Sequence, residues 1–206
     1  MTSRRRYVPP MNRTVLILLM GLCSFLLASC NHVEPPASKL NPAEAGRGLR
    51  QMMLTTPPAE FGEKPTKDFP RVYGILMDLP VGERIATIFS SSTGAASIYT
   101  TSTFGVLGGE MHETVRAAAI RFVRAADHFF ESATPTTEYP YPAAGRVRFY
   151  LLTFEGVRFI DTDLASIENG TSEYAELFGL GQEVITELRL LTENPNDRTP
   201  HQAPRR

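Results

Sequence analysis

The chain has 206 residues, of which 42% are hydrophobic and 21% charged, a balance typical of globular proteins. This composition excludes a disordered chain and a protein with several membrane-spanning helices. Because 21 lysines and arginines nearly balance 22 acidic residues, the net charge of −1 provides no field that attracts nucleic acid. We therefore expect a folded protein that does not bind nucleic acid.

The first thirty residues have the order of segments found in an export signal. An apolar run extends from Thr14 to Ala28, and four arginines precede it. The run is too short to cross a hydrocarbon layer of about 30 Å comfortably, and small residues and prolines follow it. We predict a signal peptide over residues 1–29, and a start at Met11 would leave a compact signal by itself.

The end of the apolar run, Leu27-Ala28-Ser29-Cys30, resembles the lipobox of bacterial lipoproteins. In that family a diacylglycerol is attached to the cysteine thiol, the lipoprotein signal peptidase cleaves before the cysteine, and the new amino group is often acylated. The resemblance covers about the first thirty residues and implies that Cys30 is the lipidated first residue. Two or three acyl chains anchor a protein stably to a membrane. The alternative is an ordinary secretory signal with a chance cysteine.

The residue after Cys30 bears on the membrane that the resemblance implies. In Gram-negative lipoproteins an aspartate at this position commonly retains the protein in the inner membrane, and this chain has Asn31. We expect a cell-envelope protein, with the periplasmic face of the outer membrane favoured. Cleavage would remove four arginines and no acidic residue, which changes the net charge from −1 to −5. Cys23 leaves with the signal, so no free thiol remains for a disulfide or a metal.

The chain after the signal divides into three segments. Residues 30–70 are rich in proline, as is typical of a tether. Within them Asn41-Pro42-Ala43-Glu44 offers a helix cap, a proline and an acidic residue in the right order, which predicts a short helix over 42–54. Residues 71–192 have the dense patterning of one domain with a sizeable core. Residues 193–206 predict a disordered polar tail.

Five β-branched and aromatic runs predict strands. The runs over 71–78, 84–90 and 96–101 predict a three-stranded meander. The runs over 146–154 and 157–163 flank Glu155-Gly156, which predicts a hairpin with a two-residue turn. That turn places Arg148 opposite Asp163 and Tyr150 opposite Asp161.

Two amphipathic helices complete the pattern. The apolar stripe of the first is Val115, Ala119, Phe122, Ala126, Phe129 and Ala133, and that of the second is Leu177, Gly181, Val184, Leu188 and Leu191. The order βββαββα predicts an α+β fold, a two-layer sandwich of about five antiparallel strands with both helices on one face. The segments Arg146-Val-Arg-Phe-Tyr and Phe154-Glu-Gly-Val resemble an uncharacterised bacterial domain, and that resemblance implies no activity.

The loop before the first helix is a candidate ligand site. It contains Gly105, Gly108, Gly109 and His112, and free backbone N–H groups at a helix start bind anions. The spacing matches neither a Walker motif nor a dinucleotide fingerprint, and Glu110 would repel an anion. The alternative is a tight turn between strand and helix.

Other combinations of reactive side chains do not form a recognisable site. His112 and His128 are sixteen residues apart, about 24 Å along a helix, so they cannot share a metal there. Asp161-Thr-Asp163 lacks the glycine that a calcium loop requires at its sixth position. No Gly-x-Ser-x-Gly elbow is present. We expect no metal, no cofactor and no catalytic residue.

The loop with Tyr139 and Tyr141 is a candidate interface. Prolines flank both tyrosines, which predicts a rigid, partly apolar surface of the kind enriched where proteins meet. The alternative is that the two rings cover the edge of the core.

We expect a lipid-anchored, non-catalytic binding module with an envelope protein as partner. The alternative function is a small-ligand-binding protein or a hydrolase-type enzyme that uses the loop over 105–112.

Overall fold

The computed structural model describes residues 41–102 and 105–193, except the side chain of Glu110. The predicted signal peptide, Cys30, Asn31 and residues 194–206 of the predicted polar tail lie outside these residues, whereas Glu193 is the last residue of a helix. Within them, no helix combines the length and the apolar composition needed to cross a membrane.

The first element lies in the segment expected to be a tether. Helix α1 spans Pro42–Thr55, which confirms the helix predicted from its start signals. The Asn41 side chain caps it by accepting a hydrogen bond from the Ala43 N–H at 3.1 Å, and Pro42 occupies the first turn. A short 3₁₀ turn, Pro58–Phe61, follows. This part of the segment is therefore structured and packs on the sheet.

In residues 41–102 and 105–193, seven antiparallel strands form one sheet. They are β1 (Val72–Val81), β2 (Arg84–Ser91), β3 (Ala96–Thr100), β4 (Val106–Leu107), β5 (Thr134–Thr136), β6 (Arg146–Thr153) and β7 (Gly156–Asp163), in the spatial order β4-β3-β2-β1-β6-β7-β5. The α+β class is confirmed, but the expected number of about five strands is wrong. The two missed strands, β4 and β5, have two and three residues, too few for an alternating pattern to show.

The hairpin of β6 and β7 has a different register from the predicted one. Its turn residues are Phe154 and Glu155, so Arg148 faces Asp161 and not Asp163. Tyr150 likewise faces Phe159 and not Asp161. The Thr153 hydroxyl fixes this turn, because it donates to the Gly156 carbonyl at 2.6 Å and accepts from the Glu155 N–H at 3.2 Å.

Two long helices cover one face of the sheet, as predicted. They are α2 (Glu113–Ala126) and α4 (Ala175–Glu193), and the short α3 (Leu164–Glu168) follows β7. The buried residues of α2 and α4 include most of the predicted stripes, and they form one core with the sheet: Val115, Ala119, Phe122, Ala126, Leu177, Val184 and Leu188. Gly181 allows close packing, since a Cβ there would lie 2.6 Å from the Met77 methyl carbon.

Helix α1 packs on the opposite face of the sheet, so the predicted two-layer sandwich is wrong. A second apolar cluster lies there, consisting of Leu54, Tyr73, Leu76, Phe89, Tyr150 and Leu152. Alternate residues of a strand point to opposite faces, so β1 and β6 present apolar side chains on both. The second face therefore also requires a cover, and α1 provides part of it.

Candidate functional site

A buried ion pair joins α1 to the centre of the sheet. Arg50 Nε and Nη2 both donate to Asp78 Oδ2, at 2.9 and 2.6 Å. The side chains are 5% and 0% exposed. Thr87 Oγ1 donates to the other oxygen, Asp78 Oδ1, at 2.6 Å. The carboxylate is thus bonded on both oxygens, as a buried charge requires.

The pair sits on a row of polar side chains that crosses five strands. Successive pairing partners along this row are Tyr99, Thr87, Asp78, Arg148 and Asp161. Arg148 forms an ion pair with Asp161 at 3.0 Å, whereas the Tyr99 hydroxyl is buried without a hydrogen bond to any described residue. The row places an unbroken polar line beneath α1.

Burial is the largest influence on both members of the pair. It raises the pKa of the Asp78 carboxyl, although the hydrogen bonds from Arg50 and Thr87 lower it. For Arg50, burial lowers the pKa, but the hydrogen bond and charge of Asp78 raise it above its usual value. Each charge therefore depends on the other in this buried position.

The Tyr139 and Tyr141 loop is held by the same arginine. Arg50 Nη1 donates to the Tyr139 carbonyl at 2.9 Å, and the guanidinium carbon lies 4.2 Å from the centre of the Tyr141 ring. Tyr139 packs edge-on against Tyr150, with ring centres 5.9 Å apart. Both predicted tyrosines thus lie at this site, half-buried. Their role as an interface stays a prediction.

The loop over 105–112 includes β4, an edge strand of the sheet. It lies away from the central strand β1, which carries Asp78. A Cβ at Gly105 would lie 1.8 Å from the Ile98 carbonyl oxygen, and one at Gly109 would lie 2.4 Å from a Val115 methyl. Gly108 has a positive φ of 77°, which favours glycine. Close approach and turn geometry therefore account for these glycines. His112 caps α2 through its backbone, and its side chain makes no cap hydrogen bond.

Residues with metal-binding groups are dispersed over this fold. His112 lies at the start of α2 and His128 beyond its end. In the described part of the chain, no three histidines, cysteines or acidic residues form a group that would hold a metal ion.

Two cavities meet at Tyr73 on the α1 side of the sheet. The larger, which we name the Tyr73 groove, has a volume of about 400 Å³. Its lining residues are Leu54, Thr55, Thr56, Pro57, Pro58, Tyr73, Thr136, Thr137, Tyr139, Thr153, Gly156 and Val157. The smaller, of about 220 Å³, is mostly apolar and is lined by Met53, Phe61, Glu63, Tyr73, Phe89, Ser91, Thr93 and Ala95. The loop over 105–112 contributes to neither.

The hydroxyl groups of the Tyr73 groove fall into two sets. Those of Thr55, Thr136 and Thr153 donate to backbone carbonyls. Those of Thr56, Thr137, Tyr73 and Tyr139 have no hydrogen bond to any described residue. Tyr73 is only 4% exposed and lines the groove, and its hydroxyl is not among the fully enclosed polar atoms of the described residues.

The Tyr73 hydroxyl has a raised pKa, which predicts alkaline sensitivity. Burial, helped by the Glu63 carboxylate, raises the pKa of Tyr73 from 10.0 to about 12. The folded state thus favours the neutral phenol, and this stabilisation is complete below pH 10 and lost as the pH rises towards 12. Between pH 9 and pH 12 we expect the native chain to lose about 1–2 kcal/mol more stability than Tyr73→Phe, since part of the group is screened by solvent. Urea unfolding at each pH measures this, and equal losses would contradict it.

Sequence reasoning missed both Arg50 and Tyr73. A signal for the ion pair existed, because Asp78 is a charged residue inside an otherwise apolar strand. No comparable signal pointed to Tyr73, because it lies in a mostly apolar run whose residues are all typical of a hydrophobic core.

Comparisons with protein-family models, with curated proteins and with solved structures find no match to the chain. Its function is therefore inferred from its own residues and geometry.

Proposed function

We propose that the chain is a cell-envelope lipoprotein, anchored through Cys30, whose α+β domain is a non-catalytic binding module. The observation that carries the binding role is Tyr73, a buried residue that lines two adjoining cavities and whose hydroxyl has no hydrogen bond to a described residue. A convergence of a few polar groups in a concave site is typical of ligand binding. The anchor rests on the lipobox resemblance, and Asn31 favours the outer membrane.

The ion pair gives the groove a fixed wall. Arg50 joins α1 to β1 through Asp78 and to the tyrosine loop through the Tyr139 carbonyl. Leu54 and Tyr139, on either side of it, both line the groove. A site whose walls are held in place before binding loses less conformational freedom on binding. The Arg50 pair therefore has a positioning role in this proposal.

Photocrosslinking in intact cells tests the binding role. A photoreactive amino acid replaces Thr137, an exposed residue of the groove lining, and in the control it replaces Thr186, an exposed residue of α4. We expect one discrete adduct from position 137, reduced by Tyr73→Ala, and none from position 186. Diffuse capture that is the same from both positions would contradict a binding site in the groove.

A further inference from the structure

We infer that the ligand of the Tyr73 groove is a neutral saccharide. This inference rests on the proposed function and names the ligand class for the same site. All twelve lining residues are uncharged, although 21% of the chain is charged. An ionic ligand would find no opposite charge among the lining side chains, and its loss of hydration would not be compensated. The groove composition thus favours an uncharged ligand.

The four groove hydroxyls that have no hydrogen bond to a described residue favour a polar ligand over an apolar one. An apolar molecule would remove water from the four unbonded hydroxyls, Thr56, Thr137, Tyr73 and Tyr139, without replacing the hydrogen bonds. A hydroxyl both donates and accepts, and so does each hydroxyl of a sugar. A saccharide therefore satisfies these groups whichever way each one turns.

The groove also presents apolar surface to the C–H groups of a sugar ring. Tyr139, which is half-buried, is fixed edge-on against Tyr150 with ring centres 5.9 Å apart. Pro57 and Pro58 add rigid apolar surface to the lining. Rings held in place before binding give contact area at small entropic cost. The volume of about 400 Å³ lies within the range of small-molecule sites.

A proline-rich peptide is the main competitor, since such peptides bind in aromatic-lined grooves. Proline has no backbone N–H, so a proline-rich peptide offers mainly hydrogen-bond acceptors, whereas the groove hydroxyls both donate and accept. The hydroxyl set therefore favours the saccharide, and the peptide becomes an outcome of the test.

The test titrates the purified full-length chain, in detergent micelles, with maltotetraose, cellotetraose and fully N-acetylated chitotetraose, and with a decaproline peptide. Saturation-transfer NMR detects binding, and calorimetry gives the affinity. Thr137→Val, Tyr139→Phe and Tyr73→Phe each remove one hydroxyl while keeping most of the shape. For each we expect affinity to fall about two- to tenfold, the worth of one hydrogen bond. The matched controls, Thr186→Val and Tyr174→Phe, lie on the helical side of the fold and should bind like the native chain.

Saccharide binding that weakens in the groove variants and not in the controls supports the inference. The inference is overturned if none of the three saccharides binds. It is also overturned if a saccharide binds with an affinity that the groove variants leave unchanged. If decaproline alone binds, or the adduct at position 137 is a protein, the saccharide inference fails while the proposed function stands. If the adduct is absent as well, the proposed function fails with it.

Discussion

Arg50→Met is expected to lower the free energy of unfolding by about 3–5 kcal/mol, because it leaves the Asp78 carboxyl buried without its partner. Asp78 is fully buried, and Thr87 alone would remain as its donor. Without Arg50, only the Thr87 hydrogen bond and the Arg148 charge oppose burial, so the pKa of Asp78 rises further. The neutral acid is then favoured in the folded state, so the loss should be smallest at acidic pH and grow as the pH rises. Urea unfolding at several pH values measures both effects.

Two control variants test whether the loss of stability comes from breaking the buried pair or from removing any charged side chain. Arg50→Met combined with Asp78→Leu removes both charges, and such replacements are often neutral or stabilising. Arg121→Met breaks an exposed pair with Glu183, which should cost less than about 1 kcal/mol. If Arg50→Met cost no more than Arg121→Met, the ion pair would not hold α1 on the sheet.

Cys30→Ala is expected to abolish lipid anchoring. The lipobox resemblance makes the Cys30 thiol the attachment point, and alanine offers no sulfur for the lipid. The variant should then be either released from the membrane or left unprocessed at its higher mass. Membrane fractionation with detection of the band mass distinguishes these forms from the native one.

Cys23→Ala is the matched control for the anchor. Cys23 lies in the same apolar run, seven residues before Cys30, and has no role in the resemblance. It should be processed and anchored like the native chain. A Cys30→Ala protein that still fractionated with membranes at the mature mass would contradict the anchor.

Both long helices were predictable because their stripes repeat over several turns. Phe122 and Leu188, for instance, fall where steps of three and four place them, and both are fully buried. The register of the second hairpin was not predictable from its glycine. The Thr153 hydroxyl closes the turn one residue earlier than the Glu155-Gly156 pattern indicates, which shifts Arg148 from Asp163 to Asp161.

The site was harder to predict than the fold because it joins distant parts of the chain. Arg50 and Asp78 are 28 residues apart, and Arg50 and Tyr139 are 89 apart. The buried residues of α1 are Gly46, Arg50 and Leu54, so its buried face carries an arginine where a sequence pattern seeks apolar residues. The buried position of Arg50 can be recognised only when β1, which carries the opposite charge of Asp78, is known to lie beside α1.

The anchor on Cys30 is the claim on which the proposed function depends most, and the mass of the N-terminal tryptic peptide tests it most directly. Protein extracted from membranes should yield residues 30–39 with Cys30 as the first residue, carrying a diacylglyceryl thioether and, where acylated, a third chain on the amino group. A peptide in which Cys30 is unmodified and preceded by Ser29 would contradict the anchor and with it the proposal that the chain is a lipoprotein.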